Sequence, residues 1–191
     1  MNDLFELENE NEEIQEMGSY NHSLAQAQLT GLFFNDKKFS VFIELSLDVS
    51  QTDLSQFGMK AKEELKPDIC LYPKTENTGF KKRDILKMSE MPLVAIEILS
   101  PKQGIDDILT KFDAYFALGI KSCWLVIPPM EVIDIYSQLT QHRTFSLNDT
   151  NVIDELADIN LPMKIFLDKF ELCSSYSDSI NKYNFFKKSH L

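Results

Sequence analysis

The run Pro92-Leu-Val-Ala-Ile-Glu-Ile-Leu99 constrains this chain more than any other segment. Apart from Glu97 it is wholly apolar. Such a run predicts a central strand covered on both faces rather than a half-solvated one. An ionised carboxylate inside it is costly unless it is paired or ligates a metal. Glu97 is therefore either a structural ion-pair partner or part of a site. Ser100-Pro101 stops the strand.

The segments around this strand set the architecture. Ile105 to Leu118 reads as a helix with Ile105, Ile108, Leu109, Phe112, Tyr115 and Phe116 on one side, ended by Gly119. Ser122–Ile127 is the next strand, broken by Pro128-Pro129. Strand, helix and strand from 93 to 127 predict a right-handed parallel crossover. Upstream, Ser19 or Asn21 caps a helix that ends near Asn35-Asp36, with Leu24, Ala27, Gln28, Leu29, Leu32 and Phe33 as its face. Val41–Leu47 and Pro67–Tyr72 read as strands, joined by a polar connection over 48–66. Residues 73–90 form a polar loop containing Lys81-Lys82-Arg83. Downstream, Val132–Tyr136 and Arg143–Leu147 predict a hairpin, and residues 161–170 a short final helix. The fold class is α/β, a mixed central β-sheet flanked by helices. Its expected boundaries are an acidic tail at 1–17, one domain at 18–172 and a loose tail at 173–191.

Composition limits the function classes. With 43% apolar and 11% aromatic residues over 191 positions, the chain can bury a core of one domain. No apolar run is long enough to span a bilayer, and the acidic N-terminus lacks a basic-then-apolar leader, so a cytoplasmic protein without membrane contact is expected. Cys70, Cys123 and Cys173 are odd in number, far apart and set among apolar neighbours, as reduced core thiols are. His22, His142 and His190 stand singly, so a structural zinc site is not expected. The net charge of −11 argues against a generic nucleic-acid coat. Its distribution is uneven: residues 1–16 hold seven acids and no base, whereas residues 60–102 hold nine bases against seven acids.

Asp68 is the second carboxylate of interest, because it opens a strand directly after Pro67. Two acids at adjacent strand ends suit Mg²⁺ or Mn²⁺, which take oxygen ligands and fill the remaining positions with water and phosphate. The bland alternative for Asp68 is a Pro-Asp turn. Lys111 lies on the helix after the Glu97 strand, with Tyr115 at i+4 on the same side. It either serves the site or pairs with Asp107 at the surface. Trp124 reads as core. Nucleotide-cradling glycine loops and nucleophile elbows are absent.

The ordered blocks Lys66-Pro-Asp-Ile-Cys-Leu-Tyr-Pro73, Pro92–Pro101, Asp107-x3-Lys111-x3-Tyr115-x3-Gly119 and Cys123-Trp-Leu-Val-Ile-Pro128 resemble the Uma-two family of restriction-endonuclease-like proteins over roughly residues 19–170. The resemblance implies a PD-(D/E)XK fold and a metal-dependent site that cleaves phosphodiester bonds of DNA. It matches Asp68 to the PD aspartate and Glu97 to the strand acid, both as metal ligands. Leu99 stands where a lysine follows the acid in the general motif; Lys111 matches the lysine displaced onto the next helix. His22 falls in the first helix, where relatives often carry a histidine. Ser100-Pro101-Lys102-Gln103 departs from the family's Ser-Pro-Ser-Thr, which makes Lys102 a candidate phosphate contact. The likeness also implies a homodimer. A second reading is a catalytically inactive module of the same fold, whose acidic head binds a partner.

Overall fold

In the computed structural model, which describes residues 19–59, 64–75 and 79–163, the apolar run around Glu97 forms β5 (Val94–Ile98), buried along its whole length. It is the third strand of a six-stranded sheet. The order is β1 (Phe39–Ile43), β4 (Ile69–Pro73), β5, β6 (Ser122–Ile127), β7 (Val132–Gln138) and β8 (Gln141–Phe145). Only β5 and β6 are parallel; every other neighbouring pair is antiparallel, so the sheet is mixed as expected.

Strand periodicity splits the core into two layers. Val94, Ile96 and Ile98 point to one face, where they meet Ala25, Leu29 and Phe33 of α1 (Tyr20–Asn35). Ala95 points to the other, where Ile108, Phe112 and Tyr115 of α2 (Ile105–Ala117) cover it. Glu97 shares the second face by the same alternation. Ser19 caps α1 by accepting from the His22 N–H. Asp107, an alternative surface partner for Lys111, instead caps α2: its Oδ2 accepts from the Gly104 N–H at 3.1 Å. Gly119 follows α2 at φ 92°, a conformation that favours glycine.

Three expectations need correction. The buried face of α1 is Ala25, Leu29 and Phe33, while Leu24 and Ala27 are exposed. The strand placed at 41–47 ends at Ile43, because Glu44 adopts φ 50° and turns the chain out of the sheet. The chain then enters the second core layer through Leu47 and Val49 and pairs a two-residue β2 (Leu47–Asp48) with β3 (Glu64–Leu65). The third concerns the end of the domain. Leu161 and Pro162 belong not to a helix but to β10 (Ile159–Pro162), which pairs with β9 (Asn151–Asp154); residues 164–170 lie outside the described residues. That hairpin was hidden because its strands are four residues each and its turn passes through Asp158 at φ 52°. Both predicted tails, 1–17 and 173–191, likewise lie outside the described residues. Among the described residues, no helix is long and apolar enough to cross a membrane.

Candidate active site

The antiparallel register pairs Ile69 with Ile96, so one step further Asp68 lies opposite Glu97. Two carboxylates directly across adjacent strands repel each other. The surroundings are built to offset that repulsion. Asp68 Oδ2 accepts the backbone N–H of Ile98 at 2.6 Å, and His22 Nε2 lies 3.2 Å from the same oxygen. Glu97 Oε2 accepts from Lys111 Nζ at 2.8 Å, and its Oε1 accepts from the Tyr115 hydroxyl at 2.6 Å. The backbone carbonyl of Asp68 receives the Gln26 side chain at 3.1 Å and the Glu44 N–H at 3.2 Å. Thus α1, β1, β4, β5 and α2 converge on one point, at the end of the sheet where β4 starts and β5 finishes.

Glu97 is only 1% exposed, whereas the Asp68 and Lys111 side chains keep 19% and 27% of their surface. Burial pushes the Glu97 carboxyl above its usual range; Lys111 opposes the shift and Asp68 adds to it. Burial alone would lower the Lys111 ammonium, but the Glu97 carboxylate against it outweighs that and holds it above the ordinary lysine value. The hydrogen bond to Asp68 raises the His22 imidazole against the effect of burial. Burial, followed by the neighbouring Glu97 charge, raises the Tyr115 hydroxyl well above its usual value.

The sequence-derived trio Asp68, Glu97 and Lys111 is therefore brought together, with Lys111 on Glu97 rather than on Asp107. Lys102 is exposed on the loop after β5 and makes none of these contacts. Four further participants went unassigned in the sequence. Tyr115 could have been found from its i+4 spacing to Lys111. His22 and Gln26, also four apart, flank the apolar face of α1. Glu44 gave no signal, since its place depends on a backbone turn.

The donor set suits a hard divalent cation. Among the described residues, the side-chain contacts of Asp68 are made through Oδ2, and the facing acid supplies a second carboxylate. Among the described residues no group of three or more His, Cys, Asp or Glu side chains forms a cage, so a cation held by these two acids would take most of its ligands from water and substrate. Magnesium accepts that arrangement; structural zinc does not.

The comparisons with known proteins give a family from the sequence and a shared fold from a solved structure. Residues 2–164 match the model of Uma2 (Uma-two), described as "Putative restriction endonuclease". The chain belongs to the Uma2 family. A crystal structure titled as a putative nuclease belonging to DUF820, from Anabaena variabilis, shares the fold, with a TM-score of 0.58. It is 19% identical, over 78% of this chain and 82% of that one. No curated protein matches the chain. The restriction-endonuclease-like fold expected from the motif blocks is thus borne out, and the Uma2 match begins inside the acidic head rather than at residue 19.

Proposed function

We propose that this Uma2 protein is a cytoplasmic metal-dependent endonuclease that hydrolyses DNA phosphodiester bonds, with Asp68 and Glu97 as ligands of Mg²⁺ or Mn²⁺ and Lys111 as the third catalytic residue. The observation that carries the reading is the facing of Asp68 and Glu97 across β4 and β5, with a lysine seated on the buried acid. A fold needs no such costly juxtaposition for stability, because two apolar residues would fill the space better. When bound, the cation supplies charge neutralisation at the scissile phosphate and an acidified water.

The protein's own groups do the rest. Tyr115 fixes one oxygen of Glu97 and Lys111 the other, so the carboxylate has a single orientation. Lys111, a quarter exposed, is placed to take a non-bridging phosphate oxygen and to hold the attacking water in line. His22 and the Ile98 N–H hold Asp68 through Oδ2. Substrate backbone fits the exposed loop carrying Lys81-Lys82-Arg83 and the fully exposed Phe80. The return of that loop is fixed beside the active-site end: Met88 exchanges backbone hydrogen bonds with Ser46 and Asp48, just after Glu44. Cutting both strands of a duplex calls for a second copy of the chain.

The test is cleavage of supercoiled plasmid in Mg²⁺ or Mn²⁺. Nicking and linearisation by the wild type, abolished by chelation and by Asp68→Asn, are expected. Cleavage that survives Asp68→Asn would reject the assignment. Absence of cleavage on any DNA would favour the inactive-module reading.

A further inference from the structure

α1 has two apolar faces, and the fold uses only one. Its sixteen residues include no Asp, Glu, Lys or Arg, in a protein where those four types make up 26%, and its one titratable histidine, His22, is turned to Asp68. Ala25, Leu29 and Phe33 fill the core. At 3.6 residues per turn, the directly opposite side carries Tyr20, Leu24, Ala27, Gly31 and Phe34. All five are exposed, Tyr20 by 81% and Phe34 by 74%. Their spacing alternates four and three residues, the interval of a helix–helix seam.

Gly31 has no reason in the fold. A methyl group added there would meet nothing within 4 Å, yet glycine weakens a helix interior relative to alanine. Small residues in a seam let a second backbone approach closely. The five residues are also self-complementary about Ala27. In an antiparallel pair related by a two-fold axis at that residue, Tyr20 faces the partner's Phe34, Leu24 enters the space left by the partner's Gly31, and Ala27 meets itself. Large residues lie at both ends and small ones at the centre.

We infer that the outward face of α1 is a two-fold interface between two copies of this chain. Absence of charge with aromatic anchors is the composition of an interface centre. The four aromatics at the two ends bury roughly 500–700 Å² when covered. With the residues between them, the total comes to roughly 1,000 Å², the lower edge of a specific interface. The dimer is therefore weak and concentration-dependent. The same helix carries His22 on its inward flank, so pairing of α1 fixes the distance between the two sites. This deepens the dimer element of the proposed nuclease, yet it is read by association alone and stands or falls separately from cleavage.

Sedimentation velocity of the full chain, from micromolar to submillimolar concentration, should show a monomer–dimer equilibrium. Ala27→Glu, which sets two carboxylates face to face on the axis, should leave only monomer with an unchanged circular dichroism spectrum. Orientation is read by oxidative cross-linking in a Cys173→Ser background. A mixture of Tyr20→Cys and Phe34→Cys proteins should form a disulfide-linked pair, and neither variant alone should do so. Monomer at every concentration, a dimer indifferent to Ala27→Glu, or equal cross-linking of each variant with itself would overturn the inference.

Discussion

Among the described residues two carboxylates are buried, and they are buried in opposite ways. Asp154, 3% exposed at the end of β9, accepts from the Ser122 hydroxyl at 2.6 Å and the Trp124 indole at 2.8 Å. It also takes the backbone N–H groups of Leu156 and Ala157. All four donors are neutral, both oxygens are occupied, and none of these contacts is to another acid. Glu97 meets a charged lysine and a tyrosine, and its cross-strand neighbour is a second carboxylate. Asp154 is satisfied by the protein and ties the β9–β10 hairpin to the sheet. Glu97 is held by one charged and one neutral donor beside a second acid, so its surroundings are set by charge where those of Asp154 are set by neutral hydrogen bonds. Burial of an acid is common to both places; a second acid and a lysine beside it are found only at Glu97 of the two.

The largest effect that separates the two is on activity. Glu97→Gln should lower cleavage by about 10³-fold or more, equivalent to about 4 kcal/mol of transition-state stabilisation. Its melting temperature should move little, because Lys111 is partly exposed and retains Asp68 as a neighbouring charge. Asp154→Ala should do the reverse. It leaves four donors without their acceptor, three of them buried, and should cost about 3–5 kcal/mol in denaturant unfolding, while any protein that folds keeps its metal affinity. Equal stability losses at the two positions would erase the distinction.

Tyr115→Phe sharpens the comparison at smaller scale. Losing one hydrogen bond to Glu97 should cost about 1 kcal/mol and reduce cleavage by about fivefold. A loss as deep as that of Glu97→Gln would make Tyr115 a participant rather than a positioning residue. The smallest expected effect is on the thiols on the α2 face. Burial pushes Cys70 up to about 12 and Cys123 higher still. Neither should be alkylated in the native protein at pH 8, since the thiolate is the reactive form. Modification of either thiol, mapped by mass spectrometry, would show that this core layer opens readily.

Much of the site was legible in the sequence because its anchors are expensive. Glu97 stood out as the only charge in an apolar strand, Asp68 as an acid at a proline-marked strand start, and Lys111 by its helical position. Family resemblance then joined residues that spacing alone left separate. What stayed illegible depended on tertiary geometry. His22 reads as an ordinary helix residue until the packing of α1 brings it to Asp68. Glu44 reads as part of a strand until φ 50° turns it out. Asp154 sits in a segment too short to declare itself, and its donors Ser122 and Trp124 come from thirty residues away. The outward face of α1 was misread for a related reason. The helix is apolar on both sides, so hydrophobicity alone does not say which side the core takes.

Calorimetric titration of Mn²⁺ into the wild-type protein, beside Asp68→Asn, Glu97→Gln and Asp154→Asn, tests the central claim most directly. The account predicts one site in the wild type, retained in folded Asp154→Asn and lost in both site variants, with circular dichroism unchanged. Binding that persists in Glu97→Gln, or that disappears equally in Asp154→Asn, would contradict it.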